Sequence, residues 1–261
     1  MNITINNTGK AELFGLLFQH VRLFTEHVNV TFDKEKMFMQ SMDSARVSVF
    51  ELSLPATWFD SYEHTGASAI TLGIPATMLF KILNTRDKSQ DTEIIYITDD
   101  DKLLINFSSN NASVFNKRFE LPLIDLDCEL MAIPETESEA EFSIDSAIFS
   151  NLINQLKIFG DTIEIQCTED KIILHSISIE AGKMVVDINI DDLTEYSITE
   201  GEVMKLSFSL SMLHNICMYN KIAKEVEIHL INGFPMKIKY LLGDDGASFT
   251  FFLAPKIGDD D

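Results

Sequence analysis

The sequence predicts an α+β fold made of two similar halves, each combining long antiparallel sheets with two helices that cover one face. Three observations predict it: the chain aligns with itself, each half holds two amphipathic helical stretches, and short alternating apolar runs fill the rest. At a constant shift of 135 positions Phe14 meets Phe149, Leu17 meets Leu152, Val21 meets Leu156 and Phe24 meets Phe159. The same shift sets Val28-Asn29-Val30 on Ile163-Glu164-Ile165 and Lys36 on Lys171, without a gap. A second match, at a shift of 134, sets Met78-Leu79 on Met212-Leu213 and Ile82 on Ile216.

The elements follow in order. Phe14, Leu17, Phe18, Val21, Phe24 and Val28 share one stripe at helical spacing and predict a first helix. Asp33-Lys34-Glu35 predicts a turn, after which Lys36–Gln40 and Val47–Leu54 read as strands. Alternation puts Val47, Val49 and Ser53 on one face of the second strand and Phe50, Leu52 and Leu54 on the other. Ile74-Pro75 to Leu83 predicts a second helix, with Pro75 in a first turn that has no use for its missing N–H. Ile148, Phe149, Leu152, Ile153 and Leu156 predict a third, capped by Asp145 or Ser146. A fourth runs from Ser211 to about Ala223, and Leu242 to Gly246 reads as a hairpin turn.

Hydrophobic residues make up 46% of the 261 positions and charged residues 23%, enough apolar material for a core and too much for a disordered chain. Acids outnumber Lys plus Arg by 41 to 20, a formal charge of −21, which argues against a uniformly basic nucleic-acid binder but leaves a local neutral or basic face open. Cys128, Cys167 and Cys217 are odd in number, far apart and without a CxxC pair, so a reducing compartment is expected, with no disulfide framework and no structural zinc. Residues 1–8 show neither a basic nor an apolar signal region, and Leu13–Phe24 is too short and too polar to span a bilayer.

Catalytic patterns are missing. The chain has no GxxxxGK[ST], GxGxxG, HExxH or GxSxG, and its six histidines are dispersed. The acidic groups Asp99-Asp100-Asp101, Asp125 with Asp127, Asp191-Asp192 and Asp259-Asp260-Asp261 read as solvated turns and tail; a two-metal nuclease would need carboxylates converging from several strand ends. No enzyme, cofactor or metal is therefore expected. The polar backs of the helices carry Gln19 and Arg22; Thr77, Lys81 and Asn84; Asn151, Asn154 and Lys157; and His214, Met218 and Lys221. They are either ordinary solvated faces or a surface that tolerates a phosphate backbone without gripping it.

The segment from Leu121 to Pro134, followed by an acidic run, predicts a connector over 122–139 between domains at 1–121 and 140–261. Its apolar Leu126, Leu130, Met131 and Ile133 suit either a cover for the domain seam or the wall of a partner groove.

Three motifs carry a resemblance over the whole chain. Gln40-Ser41-Met42-Asp43-Ser44-Ala45-Arg46-Val47-Ser48, Asp125-Leu126-Asp127 with Ile133-Pro134-Glu135, and Phe252-Leu253-Ala254-Pro255-Lys256-Ile257 resemble segments of the proliferating cell nuclear antigen (PCNA) family of DNA sliding clamps. The resemblance implies two clamp domains per chain. It also implies a pseudo-sixfold homotrimeric ring, with helices lining a hole for double-stranded DNA and sheets outside. It implies binding to double-stranded DNA without sequence preference, and protein partners: DNA polymerase, clamp loader, flap endonuclease, DNA ligase and other proteins carrying a Q-x-x-aliphatic-x-x-aromatic-aromatic peptide. The matching peptide-pocket positions are Met42, Arg46, Val47, Val49, Met131, Ile133, Pro235, Phe252, Leu253, Ala254 and Pro255. The DNA-facing ones are Arg22, Lys81, Lys157 and Lys221. Subunit contacts match Ser113–Phe119, with Val114, Phe115 and Lys117, and Gly182–Asp187, with Lys183, Val185 and Asp187. The chain departs from the pattern at Arg46, where the family usually has His, at Asn84, Asn151 and Asn154 in place of bases, and at Glu169 in place of a ubiquitin-acceptor lysine. Such departures are expected of a distant relative from a virus of eukaryotes or a protist, acting in the nucleus or a viral replication compartment. A checkpoint-type or regulatory clamp, monomeric or hetero-oligomeric, is the alternative.

Overall fold

The computed structural model describes every residue except Cys128, Glu135, Tyr219 and 257–261. Cys128, Glu135 of the connector motif, Ile257 of the C-terminal motif and the Asp259–Asp261 run therefore lie outside the described residues. In the first half of the sequence the order is β1 (Asn2–Ile5), α1 (Thr8–Val21), β2 (His27–Phe32), β3 (Lys36–Met42), β4 (Ser48–Pro55), β5 (Ser61–Glu63), β6 (Ile70–Pro75), α2 (Ala76–Leu83), β7 (Asp91–Ile95), β8 (Lys102–Ser108) and β9 (Lys117–Pro122). The second half repeats it: β10 (Ala140–Asp145), α3 (Ser146–Leu156), β11 (Thr162–Cys167), β12 (Lys171–Ser178), β13 (Gly182–Asn189), β14 (Glu195–Ile198), β15 (Met204–Ser209), α4 (Leu210–Cys217), β16 (Glu225–Leu230), β17 (Met236–Leu241) and β18 (Ser248–Leu253).

The chain divides into two compact units. One comprises Met1–Ser44, Glu51–Met131 and Gly243–Ser248; the other comprises Ala45–Phe50, Ala132–Leu242 and the chain from Phe249 onward. Strand order is duplicated as well as sequence. β5-β1-β7-β8-β9 has its counterpart in β14-β10-β16-β17-β18, and β4-β3-β2-β6 in β13-β12-β11-β15. The helices pack in pairs, α1 with α2 and α3 with α4. Alternation along the strands fills each core: Ser48, Phe50, Leu52 and Leu54 of β4 are buried, and Val49, Glu51 and Ser53 half-buried.

The duplication extends to single backbone bonds. The first N–H of α2, on Ala76, donates to Glu26 O at 2.9 Å, and the first N–H of α4, on Leu210, donates to Asp161 O at 3.0 Å. Such bonds satisfy amides that a helix start otherwise leaves without partners. The segment leaving each half then closes the same edge. Ile124 N donates to Gly73 O of β6 at 3.0 Å, and Lys256 N donates to Ser207 O of β15 at 2.7 Å. Gly73 and Ser207 are counterparts at the shift of 134 that relates the second helices.

Three boundaries differ from expectation. α1 stops at Val21, seven residues before the apolar stripe does. Leu23 and Phe24 N–H groups bond three residues back, tightening the chain into a turn. Phe24 stays buried in that turn and Val28 is buried in β2, so the stripe outlives the helix. α4 ends at Cys217 rather than near Ala223, and Asn220–Ile222 forms a separate 3₁₀ turn. Pro75 is the last residue of β6 and the N-cap of α2, with extended backbone, rather than its first helical residue. The cap of α3 is Asp145, whose Oδ1 accepts from Ala147 N and Ile148 N, each at 2.9 Å.

Candidate partner surface, helix faces and strand edges

The connector is held to the first unit by its backbone. Leu123 N donates to Asp101 O at 2.8 Å, and Ile124 pairs with Gly73 as an isolated antiparallel bridge. Asn29 Nδ2 donates to Leu126 O at 3.1 Å. At Met131 the buried Gln40 side chain accepts from the backbone N–H at 2.7 Å and donates to the carbonyl at 3.0 Å. Because these anchors use peptide groups, the connector side chains are not consumed by them: Met131 is half-buried and Leu130 is 59% exposed. Met42, at the end of β3 in the same unit, is half-buried.

The other residues matched to the peptide pocket belong to the second unit. Ala254 N donates to Val47 O at 2.9 Å, which brings the C-terminal motif beside the Arg46–Val49 stretch. Arg46 is exposed with φ 58°, a left-handed backbone unusual outside glycine. Val47 and Pro235 are exposed, and Val49, Ile133, Phe252, Ala254 and Pro255 are half-buried. Leu253 is fully buried and serves the core of its unit. Beyond Pro255, Lys256 Nζ donates to Thr162 Oγ1 at 2.6 Å, a second tie on the same short segment.

Lys81, Asn151 and Asn154 on the helices, Asn84 and Lys157 at helix C-caps and Lys221 in the 3₁₀ turn after α4 are all exposed. Arg22 is half-buried, with its guanidinium 4.3 Å from the centre of the Phe80 ring, so its stem and charge lie against α2. Partial burial and, after it, the nearby Lys157 ammonium hold the His214 imidazole below its usual range, so that face carries a neutral imidazole beside a lysine. Met78 in the first unit, and Ile148, Ile158 and Met218 in the second, are exposed on or beside the helices, so the helices of each unit present apolar groups as well as polar ones.

Two longer edge strands remain. β9 ends the five-stranded order and β13 ends the four-stranded one, and among the described residues nothing pairs with their outer sides. Neither is an internal strand of its own sheet. Lys117 opens β9 and its Nζ donates to Thr85 O. Val114 and Phe115 precede the strand, in a turn whose Phe115 carbonyl accepts from Gln90 Nε2 at 2.8 Å. Phe115 itself is 85% exposed. On β13, Lys183 and Val185 are exposed, and Asp187 pairs with Lys171 at 2.7 Å. Glu169, where the resemblance places a lysine, accepts from Gly201 N at 2.8 Å.

Burial pushes the Cys167 and Cys217 thiols up to about 12, so neither supplies a thiolate nucleophile at neutral pH. Among the described residues no His, Cys, Asp and Glu group is placed to hold a metal, and no helix is long and apolar enough to cross a membrane.

Sequence reasoning gave no role to Gly73 and placed Gln40 only within a motif, without a task for its side chain. A glycine inside a strand pattern signals close backbone approach, and Gly73 carried that signal; a glutamine that serves a chain 91 residues away carries none.

Residues 6–130 match the family model described as "Proliferating cell nuclear antigen, N-terminal domain", and residues 132–256 match its C-terminal domain. A "Proliferating cell nuclear antigen" of Chaetomium thermophilum is 30% identical over 232 residues, 85% of this chain and 86% of the relative. A "DNA polymerase sliding clamp" of Pyrococcus horikoshii is 25% identical over 247 residues, 95% of this chain and 96% of the relative. With both halves of the repeat matched in order, and strand order duplicated between them, this chain belongs to the PCNA family of DNA sliding clamps.

Proposed function

We propose that the chain is a processivity factor without catalysis, which closes with two further copies into a ring around duplex DNA and tethers replication and repair proteins in the nucleus. The observation that carries this reading is the pair of unpaired edges, β9 in one unit and β13 in the other. The repeat makes β18 the counterpart of β9 and β4 the counterpart of β13, so the two open edges are different surfaces. A contact between β9 of one copy and β13 of the next is head-to-tail, and head-to-tail contacts either close into rings or grow into fibres. Antiparallel pairing there would satisfy the open ladder groups and cover Phe115 and Val185. Three copies of a two-unit chain give six similar units around the axis. A threaded ring needs no tight grip, which suits Lys81, Lys157 and Lys221 among asparagines. Tethering raises a partner's effective concentration at the primer end without an active site.

The expected mass by light scattering at low micromolar concentration is three times the 29.5 kDa of the chain. A strictly monomeric species that also fails to stimulate a polymerase on DNA would overturn the ring. Stable mixed assemblies with another clamp chain would favour the regulatory alternative.

For tethering, the resemblance proposes two sets of residues to meet a partner peptide, each within its own unit: Val47, Val49, Ile133, Phe252, Ala254 and Pro255 in the second, and Met42 and Met131 in the first. A peptide of the Q-x-x-aliphatic-x-x-aromatic-aromatic pattern should bind. The double substitution Met131→Ala, Ile133→Ala should weaken it about tenfold or more, through lost apolar burial. Unchanged affinity measured by calorimetry would place the peptide elsewhere.

A further inference from the structure

Gln40 is spent on the connector. Its amide makes two hydrogen bonds to the backbone of Met131, donating to the carbonyl at 3.0 Å and accepting from the N–H at 2.7 Å. A side chain thereby plays the part of a neighbouring β-strand for one residue. The second proton of the amide NH₂ goes to Glu51 Oε1 on β4, at 2.9 Å. An ionised carboxylate accepts and cannot donate, so Glu51 requires the NH₂ group on its side. Of the two ways an amide can face the peptide group of Met131, only the observed one then satisfies both partners.

We propose that Gln40, oriented by Glu51, is a positioning residue for partner binding: it sets the backbone of Met131, so that the Met131 side chain is presented to a partner peptide. The inference rests on the peptide-tethering reading above and adds to it a residue that need not touch the peptide. Three features support it. Gln40 is buried in the middle of β3 and makes no other hydrogen bond among those identified, so the side chain has no competing task. Among the described residues, the next backbone anchor upstream of Met131 is Leu126, held by Asn29. Leu130, immediately before the latch, is exposed, so the side chains here are not holding the connector down. Without the latch, a partner would have to order this stretch itself, and the lost freedom would be subtracted from its affinity.

The test uses the full chain and a peptide of the Q-x-x-aliphatic-x-x-aromatic-aromatic pattern. Gln40→Met keeps the length and apolar stem and removes both bonds. Expected are about tenfold faster hydrogen exchange at the Met131 amide and about tenfold weaker peptide binding, with the α1 amides and the thermal midpoint little changed. Glu51→Ala should give a smaller loss of the same kind, and that loss should vanish in the Gln40→Met background, because the carboxylate acts through the amide. Glu51→Gln, which keeps an acceptor, should restore most of the affinity. Peptide affinity within twofold of the parent in Gln40→Met, or losses that add in the double variant, would overturn the proposal. If the parent chain binds no peptide, the tethering reading fails, and unchanged Met131 exchange in Gln40→Met would separately remove the latch.

Discussion

Gly73→Ala should detach the start of the connector. A Cβ at this position would lie 2.0 Å from the Ile124 carbonyl oxygen, 3.0 Å from its carbonyl carbon and 3.2 Å from Ile124 Cγ1. Two of those atoms are backbone, so no rotamer change relieves the clash; either β6 or the connector must move. Movement breaks the Ile124 N–H to Gly73 O bond and the bridge built on it. The cost should resemble overpacking of a tight core, about 1–3 kcal/mol. Alanine's smaller unfolded-state entropy returns about 0.5–1 kcal/mol, which does not reverse the sign. Gly73 is not among the positive-φ glycines, so the effect is one of space, not backbone strain. Denaturant unfolding gives the stability change, and amide exchange at Ile124 and Leu126 locates it. Full retained protection at Ile124 would show that the connector does not depend on this contact. At the counterpart, Ser207 already carries a side chain and still receives Lys256, so Ser207→Ala should be nearly silent.

The largest stability losses should come from the counterpart phenylalanines of the repeat. Phe14 on α1 is 2% exposed and Phe149 on α3 is 0% exposed. Truncating a buried phenylalanine to alanine costs about 3–5 kcal/mol through lost transfer energy and the cavity left behind. Phe14 belongs to an aromatic cluster, with ring centres 5.1 Å from Phe18, 6.3 Å from Trp58 and 6.5 Å from Phe59. Among the described residues Phe149 has one such neighbour, Phe142 at 6.4 Å. Phe14→Ala is therefore expected at the upper end of the range and Phe149→Ala at the lower. The chain has a single tryptophan, Trp58, and it lies in the first unit, so fluorescence reports that unit while far-ultraviolet circular dichroism reports both. Phe14→Ala should lower the fluorescence midpoint. Phe149→Ala should lower part of the dichroism transition and leave the fluorescence midpoint in place. Identical shifts of both signals by either variant would mean one cooperative block rather than two stability units.

Much of this was legible because buried faces have a period. The stripe through Phe14, Leu17, Phe18 and Val21 marked α1, and the alternation through Phe50, Leu52 and Leu54 marked β4. Periodicity failed where burial continued without the helix. Phe24 and Val28 kept the stripe after Val21, since a turn and a strand can feed the same core. The family motifs pointed to candidate partner residues, but not to which of them are buried in the core. Leu253 is core, while its neighbours Phe252 and Ala254 remain partly open. Arg22, placed by its polar helix face, turns out to stack on Phe80.

The duplication, the α+β class, the lack of catalytic motifs and the family resemblance could all be read from the residues in order, because each is written in local pattern or in aligned residues. That Ile124 and Lys256 close counterpart strands, and that Gln40 holds Met131, became visible in three dimensions alone. Those are pairings between residues as far as 91 positions apart, made by backbone groups every residue has or by one side chain with no period, and a linear pattern carries no trace of such a partner.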